Sequence, residues 1–155
     1  MEKTVSKKEK ASELFKNGYN CCQSVFAAFC EDFNIDMQTG LKLSSSFGGG
    51  MGGLRQVCGA VSAMFMIAGL KYGYSKAQDI KLKSQHYKLI QSLTKNFTEK
   101  FGSIICKELL LTNANIKKDV SAPEERTEQY YKVRPCESFV VYAAQLTENM
   151  LNGDL

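Results

Sequence analysis

The sequence predicts an all-α fold, a compact single-domain helical bundle over residues 1–155 arranged around a buried central helix. Three observations carry that expectation. Residues 57–70 form a nearly unbroken apolar run with no period-two alternation and few β-branched residues. Apolar residues elsewhere recur at helical intervals behind recognisable capping residues. The chain has two prolines and no tryptophan, which suits helices better than a turn-rich β protein.

The apolar run is about 14 residues long, too short for a bilayer, which needs roughly 20. A helix that is apolar all round and of that length belongs in a core. Five glycines between positions 48 and 53 precede it and read as a loop. Gly59, Ala60, Ser62 and Ala63 keep the first helical turns thin, so other backbones can come close to Cys58. Gly59 and Ala60 are therefore candidate cofactor-contacting positions.

Residues 1–10 are mostly polar and are expected to form a mobile lead-in. Ala11, Leu14 and Phe15 among charges predict a short amphipathic helix over about 6–16, which Gly18 ends. Asn20 caps a second helix with Val25, Phe26, Ala28, Phe29 and Phe33 on its apolar face, ending near Asn34. Asp36 caps a third, 37–46, with Leu41 and Leu43 expected inside. After the central helix, Lys71-Tyr72-Gly73 is a stop. Ser75 is expected to cap the longest helix, 76–101, with Ile80, Tyr87, Ile90, Leu93 and Phe97 as its apolar positions. Gly102 breaks it, and Ser103 caps a short helix through Cys106, Leu109 and Leu110. Residues 112–120 read as polar loop. Ser121 and Glu124 have capping-box spacing for a weak helix toward Tyr131. Pro135 opens the last helix, to about residue 151, with Phe139, Val140, Ala143, Leu146 and Met150 buried.

Composition narrows the function. A net charge of +4, with mixed signs near the N-terminus, gives nucleic-acid binding little support. No apolar signal core or twin arginine appears near the start, so a cytoplasmic address is the default expectation. Six cysteines in such a setting point to metal binding, catalysis or burial rather than structural disulfides. There is no Cys-x-x-Cys, and His86 is the one histidine, so no Cys/His zinc spacing exists. The glycine loop lacks a P-loop ending and a preceding strand, which argues against nucleotide binding. His86 reads as an exposed polar residue, and Met64 and Met66 as core.

The cysteines form a pattern once placed on these helices. Cys21, Cys58, Cys106 and Cys136 each fall in the first turn of a different helix. There the free N–H groups and positive dipole end stabilise a thiolate, the form that binds metal and attacks disulfides. Arg55, Lys107 and Arg134 lie beside three of them in sequence. These four are the candidate redox thiols, or metal ligands, and are expected to converge. Cys30 lies nine residues beyond Cys21 on one helix, on the opposite side and roughly 13 Å along the axis, so it should stand apart. Cys22 is turned about 100° from Cys21 and could at most flank a shared site.

On these residues the chain resembles the redox-active proteins named for a Cys…CGAxxG…Cys…Cys pattern, the C_GCAxxG_C_C family. Asn20-Cys21-Cys22-Gln23-Ser24-Val25, the loop Phe47 to Gly50 with Met51-Gly52, Cys58-Gly59-Ala60, the segment from Phe101-Gly102-Ser103 through Cys106-Lys107-Glu108-Leu109, and Cys136 with Ala143-Ala144 carry the likeness, and Ala63 stands where the motif closes on glycine. The resemblance implies a redox role or a bound prosthetic group such as an iron–sulfur cluster. Three functions stay open: a four-thiolate iron–sulfur or other metal centre for electron transfer, a metal-free thiol–disulfide protein, and a non-catalytic helical interaction module. An electron carrier needs a redox partner protein, which the sequence does not name. Nucleic acid and a membrane span are not expected, and homo-oligomerisation stays open.

Overall fold

The structure, a computed structural model, describes residues 4–116 and 123–155. It is all-α, and the one extended pairing among the described residues is an isolated bridge between Val57 and Ile105. The elements are α1 (Lys7–Lys16), α2 (Cys21–Phe29), α3 (Met37–Ser45), a distorted turn α4 (Gly48–Met51), α5 (Gly59–Tyr72), α6 (Ile80–Phe101), α7 (Cys106–Ala114), α8 (Glu128–Val133) and α9 (Cys136–Leu151). A 3₁₀ turn, Cys30–Phe33, extends α2 and ends at Asn34 in the left-handed region.

Helices α2, α5 and α9 pack against one another, and α1 lies across α2 and α9. Their shared interior is filled by Phe26, Phe29, Val61, Met64, Ile67 and Val140, all essentially inaccessible to water. Ala60, Ala63 and Ala68 on α5 and Ala143 and Ala144 on α9 are also buried, and such short side chains let the helices approach closely. Burial of this apolar surface, at roughly 25 cal/mol per Å², is the main favourable term holding the bundle together.

The caps explain where the helices begin. Ser6 accepts from the Glu9 N–H while the Glu9 carboxylate accepts from the Ser6 N–H, a reciprocal capping box. Asn20 and Gln23 make the same arrangement ahead of α2. Asp36 and Thr127 cap α3 and α8. Ser121, expected to cap that last segment, lies outside the described residues.

Several expectations are corrected. Residues 7–10, placed in a mobile lead-in, are the opening of α1. Lys7 holds them down through an ion pair to Asp32 at 2.8 Å, a bond to the Ala28 carbonyl and a backbone N–H to Glu148. Leu43 is exposed, because α3 packs on α2 through Gly40 and Ser44 instead. The longest helix starts at Ile80 with Asp79 as its cap rather than Ser75. In its first turns Ile80 and Tyr87 are exposed, while Leu93 and Phe97 further along are buried. There Phe97, Phe101, Phe139 and Tyr142 form a cluster of tilted and edge-on rings. The central helix runs two residues past its expected end, to Tyr72, and Leu70 is exposed.

Cys30 is core filler. Its thiol donates to the Phe26 carbonyl, and a Cβ built on Gly40 would clash with its sulfur. Gly40→Ala should therefore destabilise the protein by about 1–3 kcal/mol through overpacking. In a Cys30→Ala background the same change should be neutral or stabilising, since alanine is favoured over glycine within a helix by about 1 kcal/mol. Denaturant midpoints of the four proteins in this cycle would show the change of sign.

Candidate functional site

Three local structures bring the candidate cysteines together. The first is the glycine turn. Gly49, Gly50, Met51, Gly52 and Gly53 all have φ between 63° and 84°, and Arg55 follows at 60°. Glycine populates this region at little cost, whereas Met51 and Arg55 occupy it against their preference. Gly50 is also spatially required, because an added Cβ would lie 2.7 Å from the Arg55 Cα, the Cys106 Cβ and the Gln56 nitrogen. The second is a backbone pairing between the approaches to α5 and α7. The Cys58 N–H donates to the Ile104 carbonyl at 2.8 Å, and the Cys106 N–H to the Gln56 carbonyl at 2.6 Å. The third is the close crossing of α2 and α5 at Gly59, where a Cβ would meet the Cys21 sulfur at 2.5 Å and the Cys22 nitrogen at 2.9 Å.

The result is one cavity of about 280 Å³ lined by Cys21, Cys58, Cys106 and Cys136. Cys21, Cys106 and Cys136 are the first residues of α2, α7 and α9, and Cys58 is the residue capping α5. Cys106 differs from expectation in detail: Ile105 is the cap of α7, and Ser103 instead binds the Ile105 N–H and the Glu108 carboxylate. All six cysteines are free thiols. Cys22 and Cys30 are buried in the core and do not line this cavity. Gly59 borders the Cys21 sulfur, whereas Ala60 is wholly buried in the helix packing. Lys107 is exposed on α7 and contributes its backbone N–H to the Arg55 carbonyl.

The four sulfurs differ electrostatically. The Cys58 thiol donates to the Cys21 sulfur, and the N–H groups of Gly49, Gly59 and Cys22 point at it as well. These donors outweigh burial and pull the Cys21 thiol down to about 6. Cys58 is pushed well up, first by giving its proton to that bond, then by burial and the nearby Cys21 charge. Burial, followed by the Cys21 charge, pushes Cys136 up to about 12. Burial also raises Cys106, although the Arg55 guanidinium 3.9 Å from its sulfur opposes this. Ionisation is thus favoured at Cys21 and opposed at Cys58, Cys106 and Cys136, where the Cys21 charge adds to the effect of burial.

Three arginines complete the walls: Arg55, Arg126 and Arg134. Arg55 and Arg134 were visible as neighbours of cysteines in the sequence. Arg126 and Tyr130 were missed. They come from a polar segment with little hydrophobic pattern, and their place depends on Arg126 lying 4.7 Å from the Phe15 ring centroid and 4.6 Å from that of Tyr130. Among the described residues, no group of three or more His, Cys, Asp or Glu is arranged as an ion site. No helix among them is long and apolar enough to cross a membrane.

A helical bundle with four thiols around one arginine-walled cavity defines a cysteine-centred protein. Residues 19–150 match the family model described as putative redox-active protein (C_GCAxxG_C_C), and the chain belongs to that family. Comparisons with curated proteins and with solved structures found no match.

The Cys21–Cys58 contact has a measurable consequence in the reduced, metal-free protein. Cys58→Ala should move the Cys21 midpoint upward from about 6 toward the ordinary thiol value of 9.0. Cys58→Ser should leave it low, because a hydroxyl still donates. Ultraviolet thiolate absorbance against pH reads both. Because the folded value lies below the unfolded one, Cys21 stabilises the fold fully above about pH 9. That contribution should be lost as the pH falls through about 6.

Proposed function

We propose that Cys21, Cys58, Cys106 and Cys136 form one redox site whose thiolates hold an iron–sulfur or other metal centre for electron transfer. The observation that supports this reading most is the placement of four thiols, from four separate elements, around one cavity. Filler cysteines lie inside packed side chains, as Cys22 and Cys30 do.

The residues present fit such a group. Four cysteine thiolates are a common ligand set for iron–sulfur clusters and for zinc. The four thiols line one cavity of about 280 Å³, which leaves room for a bound group. When bound, a cluster would supply a reversible electron-transfer couple. Cys21 is ready as a thiolate near neutral pH and would be the first ligand. The N–H groups around its sulfur would remain as donors and tune the site. Arg55 and Arg134 are held beside Cys106 and Cys136, where their charge offsets that of further thiolates. Phe15, Leu109 and Phe139 give the cavity an apolar floor that limits water.

A second reading has its own observation, the hydrogen-bonded thiol and thiolate of Cys58 and Cys21. Without a metal, this pair could reduce an acceptor disulfide. Cys21 would attack one acceptor sulfur, the other would leave as a thiolate, and Cys58 would then displace the bound acceptor to close a Cys21–Cys58 disulfide. The dithiol is oxidised by two electrons and the acceptor disulfide becomes two thiols. Six free cysteines suit either reading in a reducing compartment such as the cytoplasm.

Iron and acid-labile sulfide analysis of anaerobically isolated protein separates the readings. The iron–sulfur form of the metal-centre reading predicts both, with visible absorbance, and another metal centre predicts that metal alone; either should be lost in Cys58→Ser while helical content is retained. Cys30→Ser should keep the full load. Metal-free wild-type protein that gains two titratable thiols on reduction would favour the dithiol reading instead.

A further inference from the structure

Among the described residues, the same cavity is lined by more cationic than anionic side chains. Among the described residues, its walls hold three guanidiniums and one carboxylate, Glu124. Arg134 is committed to that carboxylate at 2.8 Å. Among the described residues, Arg55 and Arg126 line the cavity and have no ion-pair partner.

Arg55 is 8% exposed. Its backbone is fixed on both sides, with its N–H on the Gly49 carbonyl and its own carbonyl accepting from Lys107, both at 3.2 Å. One terminal nitrogen faces the Cys106 sulfur at 3.9 Å, and its Nε is buried with no hydrogen-bond partner. Arg126 is held by cation–π contacts with Phe15 and Tyr130, and its Nη2 donates to the Tyr19 carbonyl at 3.2 Å. Its Nη1 is buried and also lacks a partner. Both arginines line the cavity, and a guanidinium held by rings and backbone keeps its charge available to a ligand there.

From this geometry we infer that the cavity is a binding site for a small oxyanion, either an inorganic ion or the acidic group of a small organic molecule, held by Arg55 and Arg126 beside the four thiols. The planar fork of arginine matches the paired oxygens of such groups. The cavity, at about 280 Å³, has room for an ion of this size. This site goes beyond the redox reading and stands on the two guanidiniums.

Calorimetric titration of the full chain, anaerobic and reduced, with sulfate, phosphate and acetate tests the inference, with chloride at matched ionic strength as reference. Saturable binding of at least one oxyanion is expected. Preference for sulfate or phosphate indicates an inorganic ion, and preference for acetate an organic acid. Arg55→Lys and Arg126→Lys keep the charge but lose the fork, and each should weaken binding about tenfold or more. In wild-type protein, the bound anion should also slow dicarbonyl modification of Arg55 and Arg126, mapped by mass spectrometry, which requires no variant to fold. Absence of both saturable heat and protection would overturn the inference, as would heat unchanged in both lysine variants. Binding by metal-free protein that vanishes in iron-containing protein would assign the two guanidiniums to the metal centre and overturn it too. Iron and sulfide content decides the redox reading separately.

Discussion

The site depends on a short piece of backbone pairing outside any helix. The Cys58 N–H on the Ile104 carbonyl and the Cys106 N–H on the Gln56 carbonyl tie the start of α5 to the start of α7. These bonds place two cysteines, distant in sequence, on one wall. They form because the chain turns back through a run of left-handed residues between Gly49 and Gly53. At Gly50 the two approaches lie so close that a side chain would meet backbone atoms. The glycine density of this stretch is thus the local cause, and the juxtaposition of Cys58 and Cys106 is the consequence.

Bringing several helix starts to one cavity concentrates positive dipole ends, and three arginines add to that field. An empty site of this kind would be self-repelling. The protein offsets this in part with the Cys21 thiolate and the Arg134–Glu124 pair. The hydrogen bond to Cys21 opposes ionisation at Cys58, and burial opposes it at Cys106 and Cys136, so among the described residues the cationic side chains outnumber the anionic ones. Both the proposed metal–thiolate centre and the proposed oxyanion would add negative charge where this imbalance lies. The same charge distribution therefore supports the two proposals, which concern different donors: sulfur in one case and guanidinium N–H groups in the other.

The sequence made the helical class legible because its signals were local. Asn20 and Asp36 serve as caps, and Gly102 ends α6 in the left-handed region. The buried face of α9 was readable from Phe139 to Met150 because it follows a single periodicity. Exposure was harder to read. Leu43, Ile80 and Tyr87 sit at helical intervals but face outward, since periodicity identifies a stripe without saying whether another element covers it. At the site, the cysteines could be singled out by their helix starts. The Val57–Ile105 bridge left no alternating pattern because it is a single pairing. Arg126 and Tyr130 were invisible for a related reason: their role is set by rings contributed from α1 and α8, far apart in the chain.

The central claim is that four thiols from separate elements serve one redox-active group. An anaerobic crystal structure with diffraction recorded at the iron absorption edge tests it most directly. The account predicts anomalous scattering inside the cavity, within bonding distance of the Cys21, Cys58, Cys106 and Cys136 sulfurs. It would be contradicted if protein that contains iron shows the scatterer elsewhere, bound by other residues, with these four sulfurs unligated.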